Sequence, residues 1–273
     1  MLNINTNYAA AFASNAAKSS SQSLDSAMEK LSTGSRINYA RDDAAGQAIA
    51  TRLTAEIQGL SVASRNAADA QSMLDTADGA IEEVSALLLR MRELAVQSAN
   101  GTLTDNDRVH TDAEFQQLEA EITRISDNTS WAGQKLLNGS ASSLVFQIGE
   151  GANQTITVAI TDFAATAGAI NTHTRTVSTA ANAQLAITAL DAAIGNVSQQ
   201  RGNLGAVSNR LTSTMNNLDQ ININLSASKG RIEDADFAAE TGNLAKGQIL
   251  QQAATAMLAQ ANASKQQVLT LIR

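Results

Sequence analysis

"IATRLTAEIQGLSVASRNAADAQSMLDTADGAIEEVSALLLRMRELA", Ile49 to Ala95, decides the fold. Steps of alternately four and three residues pick out Ile49, Leu53, Glu56, Leu60, Ala63, Ala67, Ala70, Leu74, Ala77, Ile81, Val84, Leu88, Met91 and Ala95. Thirteen of these fourteen are apolar, and the exception, Glu56, has Ile57 beside it. That spacing is the heptad of a helix that keeps one face against other helices. A straight helix over this stretch spans roughly 70 Å. A strict seven-residue repeat winds it left-handed around its partners.

A partner of matching length stands further along. The positions Ala183, Ile187, Leu190, Ile194, Val197, Arg201, Leu204, Ser208, Leu211, Met215, Leu218, Asn222 and Leu225 form a second heptad, ten of the thirteen apolar. A shorter helix fits between the two, with Thr104 as N-cap, Asp107 three residues on, and Phe115, Leu118, Ile122 and Ile125 on one face. Asn100-Gly101-Thr102 makes the turn before it. Leu144 to Ile160 places β-branched and aromatic residues on both sides of Gly-Glu-Gly-Ala-Asn, a hairpin signal. Residues 161–182 are small, polar and threonine-rich, and read as an exposed loop.

The two chain ends mirror one another. Tyr8, Phe12, Ala16, Ala27 and Leu31 share a face of an N-terminal helix. Leu250, Ala254, Met257, Ala261, Ser264, Val268 and Leu271 do so in a C-terminal helix that carries no acidic residue from Gly247 onward. One chain of this size has little core to receive both stripes. The expected fold is mainly α: long antiparallel coiled-coil helices, a small β-hairpin region, and termini forming a helical coiled-coil inner zone.

Composition agrees. The 273 residues include no proline, where average usage predicts roughly a dozen. Aromatics are 3% of the chain, so an alanine-rich interior of close helix contacts is favoured over a thick globular core. The charge of −7 and the lack of a basic block argue against nucleic acid. There is no cysteine, which excludes disulfides and thiolate chemistry. No run of about 18 apolar residues exists to span a membrane, and the N-terminus lacks the pattern of a cleaved secretory signal. His110 and His173 are far apart, neither lies in HExxH, and there is no phosphate-binding glycine loop. No catalytic, cofactor-binding or metal-binding set emerges, and both histidines read as solvated surface residues.

The motifs carry a resemblance over nearly the full length. "LSTGSRINYARDDAAGQAIATRL" (Leu31 to Leu53), "RELAVQSANGT" (Arg92 to Thr102), "KGRIEDADFAAE" (Lys229 to Glu240), "ILQQAATAMLAQAN" (Ile249 to Asn262) and the closing "VLTLIR", in that order, resemble bacterial flagellin. The resemblance implies an inner helical zone from residues 1–43 and 233–273. It implies a middle zone from 44–179, with long helix, second helix, hairpin and loop, and from 180–232, the other long helix. The outer variable region is nearly absent here. Many relatives carry a proline in the tail where this chain has Ala263-Ser264-Lys265.

The implied function is a structural subunit that polymerises into the flagellar filament; a hook–filament junction protein is the alternative. Assembly contacts are expected at Leu31, Arg36, Arg41, Asp42, Asp43, Leu250, Met257, Val268 and Leu271. The charged four among these also read as a solvated link with an Asp-rich helix start. By match, Arg90, Leu94 and Glu114 occupy positions contacted by an innate immune receptor of animal cells, and Leu89 replaces the glutamine of well-recognised relatives. Implied partners are further copies of the chain, junction and cap proteins, and an export chaperone on the C-terminal helix; no nucleic acid, membrane or cofactor is among them. The implied location is the extracellular filament, reached by type III export without a cleaved signal.

Overall fold

The structure is a computed structural model that describes residues 6–164, 170 and 175–270, the last five as backbone. His173, Leu271 and the side chain of Val268 therefore lie outside the described residues. The elements are α1 (Tyr8–Thr33), α2 (Ala44–Ser98), α3 (Asp105–Asn128), β1 (Ser130–Trp131), β2 (Gln134–Lys135), β3 (Leu144–Gln147), β4 (Thr155–Val158), α4 (Ala180–Glu233) and α5 (Phe237–Thr270). They divide into two compact units, one of residues 56–222 and one of residues 1–55 with 223–273.

In the larger unit the first heptad forms the core. Every heptad position from Leu60 to Ala95 is buried, so the apolar seam of α2 is continuous over that length. α4 runs antiparallel to it, since Arg201 pairs with Asp78, Arg92 with Asp191, and Ser64 with Asp219. Its buried line is Ala183, Ala186, Leu190, Ala193, Val197, Gln200 and Leu204. The expected Ile187, Ile194 and Arg201 are each turned one residue outward and only half-buried. Two polar demands account for the turn at this level. Gln200 faces in to donate to the Ala159 carbonyl (2.9 Å) and accept from the Thr161 hydroxyl (2.9 Å). Arg201 faces out to Asp78 (2.9 Å) and Glu82 (3.3 Å).

α3 starts as its sequence predicts. Thr104 accepts from the Asp107 amide while Asp107 accepts from the Thr104 amide and hydroxyl, a complete capping box. Those bonds hold the Asp107 carboxyl below its ordinary range. Phe115 and Ile122 face the core. The preceding turn is fixed from beneath by Arg108, only 5% exposed, whose Nη2 donates to the carbonyls of Asn100 (3.1 Å) and Leu103 (3.0 Å). The hairpin pairs Leu144 with Val158 and Phe146 with Ile156; Ile156 and Val158 are buried against the helices and Thr155 and Thr157 are exposed. Asn66 holds it to α2 by donating to the Gln147 carbonyl (3.1 Å).

A second, two-residue hairpin joins β1 to β2, which no pattern in the sequence announces. Its turn residues, Ala132 and Gly133, have φ of 48° and 85°, the left-handed pair of a type I′ turn. Alanine is strained in that region, so Ala132→Asn is expected to stabilise the larger unit by up to about 1 kcal/mol. The midpoint of denaturant unfolding measures it; an unchanged or lower midpoint contradicts it.

Candidate assembly surface

The smaller unit is built around α1 and α5, antiparallel and in contact. Asn7 Nδ2 donates to the Ala261 carbonyl (3.2 Å) at one end, and Lys30 meets Glu240 (3.2 Å) at the other. Small residues let the backbones approach: Ala13 and Ala27 of α1 and Gly247 and Ala254 of α5 are buried, and Gly247 lies against Leu24. This seam leaves the large side chains out. Tyr8 is 70% exposed, Phe12 73% and Met257 58%, and Phe237, Ile249 and Leu250 are exposed too. The shared face expected for Tyr8, Phe12, Ala16, Ala27 and Leu31 is therefore split. Tyr8, Phe12 and Ala16 point to solvent, Ala27 faces α5 and Leu31 is half-buried. On α5, Ala254 and Ala261 approach the seam while Leu250 and Met257 stay uncovered. α5 continues unbroken through Ala263-Ser264-Lys265.

The charged cluster sits in the connector between α1 and α2. α1 ends at Gly34, whose φ of 73° closes the helix by donating to the Lys30 carbonyl (2.9 Å). The connector then pairs with the segment joining α4 to α5. Arg36 N donates to the Glu233 carbonyl (2.6 Å), Ala235 N to that of Gly34 (2.9 Å), and the Arg36 guanidinium to that of Ile232 (2.7 Å). Arg36 also lies 3.6 Å from Asp43. Asp43 caps α2 by accepting from the Gly46 amide (2.9 Å). Asp42 accepts from the amides of Tyr39 (3.0 Å) and Asn38 (3.1 Å), and these donors hold its carboxyl below the ordinary range. Arg41 reaches outward, its side chain 78% exposed and stacked 4.6 Å above the Tyr39 ring. Three of the four thus fasten the chain to itself, and Arg41 is the most exposed of them.

On the larger unit, Arg90 Nη2 and Nε meet one Glu114 oxygen (2.8 and 3.0 Å) and its Nη1 meets Glu93 (3.0 Å), all on the surface. Leu94, 2% exposed, lies in the core beneath. His110 is exposed. Among the described residues no helix is long and apolar enough to cross a membrane. None of their His, Cys, Asp and Glu side chains form a group of three or more that could hold a metal ion.

Long paired helices, with large apolar side chains left uncovered on the α1–α5 pair, define a structural protein. The known proteins it resembles agree. The family model of the bacterial flagellin N-terminal helical region matches residues 4–142, and that of the C-terminal helical region matches residues 187–272. The flagellin of Halalkalibacterium halodurans is 47% identical over 90% of this chain and 91% of its own. That of Bacillus subtilis is 41% identical over 100% of both chains. The crystal structure of Bacillus cereus flagellin, 34% identical, superposes with a TM-score of 0.51 over 56% of this chain and 88% of that one. A chain described as a flagellar hook-associated protein of Vibrio parahaemolyticus is 18% identical with a TM-score of 0.62, and shares the fold alone. The chain belongs to the bacterial flagellin family. It is a structural subunit that polymerises with copies of itself into the flagellar filament, and the junction-protein alternative is not favoured.

Two outcomes follow from this geometry. At Gly46 an added Cβ falls 2.7 Å from Ile37 Cδ1 and against the Asp43 carboxylate, whereas at Gly79 it meets nothing within 4 Å. Gly46→Ala should destabilise the smaller unit by about 1–2 kcal/mol through the lost cap. Gly79→Ala should stabilise the larger unit by about 0.5–1 kcal/mol. Opposite shifts in thermal unfolding are the check.

The second concerns acid. Glu240 is held below its ordinary range by the Asn243 side-chain amide and by Lys30. A lowered folded value contributes stability above the unfolded value of about 4.3, and that contribution is lost as pH falls through the folded value. The α1–α5 pair should therefore be unaffected down to about pH 5 and loosen below about pH 4. Lys30→Met should reduce that acid dependence in circular dichroism and leave the part owed to Asn243, which lies on α5 itself.

Proposed function

We propose that neighbouring subunits of the filament seat on the uncovered flank of the α1–α5 pair, with Tyr8, Phe12, Leu250 and Met257 as the side chains they cover. One observation carries this: the α1–α5 seam is made of small residues, and the largest apolar side chains of the unit are left in water. At roughly 25 cal/mol per Å² of apolar surface removed from water, covering them drives association. Contacts that do not close on themselves extend into a helical polymer. Leu31, Val268 and Leu271 belong to the same assembly set by the resemblance. So do residues 1–43 and 233–273 as the inner zone, and 44–179 with 180–232 as the middle zone.

In the connector, Arg36, Asp42 and Asp43 set the position of the corner and Arg41 contacts the next subunit. Arg90 and Glu114 form the surface that an animal innate immune receptor reads, and Leu94 supports it from below. That surface is packed away in the polymer and legible on the monomer. Junction and cap proteins meet the same inner-zone helices at the ends of the polymer. A chaperone covers the flank of α5 before export. The protein acts through burial and not through catalysis, and engages neither nucleic acid nor membrane.

Phe12→Ala, Met257→Ala and Arg41→Ala should leave the circular dichroism of the monomer unchanged and slow seeded filament growth severalfold, because these side chains touch little within the monomer. Normal growth of all three variants, seen by electron microscopy, overturns the assignment of the surface.

A further inference from the structure

The chain has two Asn-Gly pairs, Asn100-Gly101 between α2 and α3 and Asn138-Gly139 after β2. We propose that the fold activates the first as a self-modifying site, converting Asn100 to aspartate or isoaspartate through a cyclic imide. Glycine puts no side chain in the way of such a ring closure.

The reaction needs only water. The Gly101 amide nitrogen gives its proton to hydroxide and attacks Asn100 Cγ. The new N–Cγ bond forms, the Cγ–Nδ2 bond breaks, and Nδ2 leaves as ammonia with a proton from water. Water then adds to either carbonyl of the five-membered ring and opens it. In sum, one water is consumed, one ammonia is released and the chain gains one negative charge.

The costly step is removing the amide proton, because the resulting charge settles on the oxygen of the same peptide, that of Asn100. That oxygen is where the structure concentrates donors. Arg108 Nη2 lies 3.1 Å from it and the Leu103 amide 3.3 Å. Arg108 is 5% exposed, its Nε and Nη1 have no hydrogen-bond partner, and its nearest carboxylate, on the exposed Asp105, is 3.6 Å away. A buried, under-compensated cation aimed at the atom where negative charge develops is the arrangement that lowers such a barrier. The Thr102 amide donates to Asn100 Oδ1 (3.3 Å), which holds the side chain along the turn and draws electron density from Cγ.

The second pair is disposed the opposite way. Gly139 lies beside the Asp162 carboxylate, 3.3 Å from where its Cβ would stand. A negative charge there opposes deprotonation of its amide. Asn138 is half-buried and Asn100 is exposed.

The test compares the two sites in one molecule. Monomeric protein is held at mildly alkaline pH, folded in one sample and unfolded by guanidinium chloride in another, and peptides are mapped by mass spectrometry for conversion of each asparagine. Unfolded, the two sites should react alike. Folded, Asn100 should convert about tenfold faster than in the unfolded chain, and Asn138 more slowly. Arg108→Gln, with its fold verified by circular dichroism, should bring the folded Asn100 rate down to the unfolded one. Folded Asn100 reacting no faster than unfolded overturns the proposal, whether or not the variant folds. So does a folded Arg108→Gln that keeps the acceleration.

Discussion

The continuous apolar seam of α2 is what the larger unit depends on. From Leu60 to Ala95 no heptad position reaches solvent, and α3, α4 and the hairpin are each placed by what they contribute to covering it. Alanine at positions 63, 67, 70, 77 and 95 keeps that seam narrow, so neighbours approach closely and dispersion contacts are dense. Phe115 and Ile122 of α3 supply volume. So do Phe163, Ile170 and Val177, which are buried in the core although the polar, threonine-rich stretch 161–182 reads as an exposed loop: its few large apolar residues turn inward. Polar bonds then fix register at the rim. Ser126 donates to the Leu137 carbonyl (2.7 Å) and Asp112 accepts from the Val177 amide (2.6 Å), tying the irregular segments onto α3.

The smaller unit follows the reverse rule. Its seam is also of small residues, but no third element contributes bulk to it. Two helices alone bury one narrow stripe each, and the large apolar side chains of α1 and α5 beyond that stripe, Tyr8, Phe12, Ile249, Leu250 and Met257 among them, stay in water. The same chain therefore contains a unit that satisfies its own hydrophobic pattern and a unit that leaves part of it open. That division matches a subunit whose ends lie in the interior of a polymer.

Much of this was legible in the residues. The α2 seam follows from spacing alone between Leu60 and Ala95, where each heptad position is both apolar and buried; at the start of the repeat Ile49 is exposed and Glu56 half-buried. The capping box at Thr104 and the hairpin around Gly149 to Asn153 had local signatures that the structure reproduces. The α4 seam was read one residue off on one side, because Ile187 and Ile194 are more apolar than Ala186 and Ala193, yet space beside α2 favours the smaller pair. Gln200 enters the core for hydrogen bonds that a hydrophobic pattern does not encode. The β1–β2 turn left no trace, since two-residue strands have no alternation and Ala132 is not a turn-forming residue. At the chain ends the stripes were seen, but apolarity alone does not say which apolar residues face a partner within the chain. The Arg36 to Asp43 cluster was recognised by its charges. Its role in pairing two connectors depends on backbone carbonyls that sequence does not display.

The placement of the aromatic chromophores has a practical consequence. The single tryptophan, Trp131, lies in the larger unit, and both tyrosines, Tyr8 and Tyr39, lie in the smaller one. Tryptophan emission is thus blind to the terminal helices, and tyrosine absorbance is blind to the three-helix core. The molecule carries a separate optical label on each of its halves without any having been engineered.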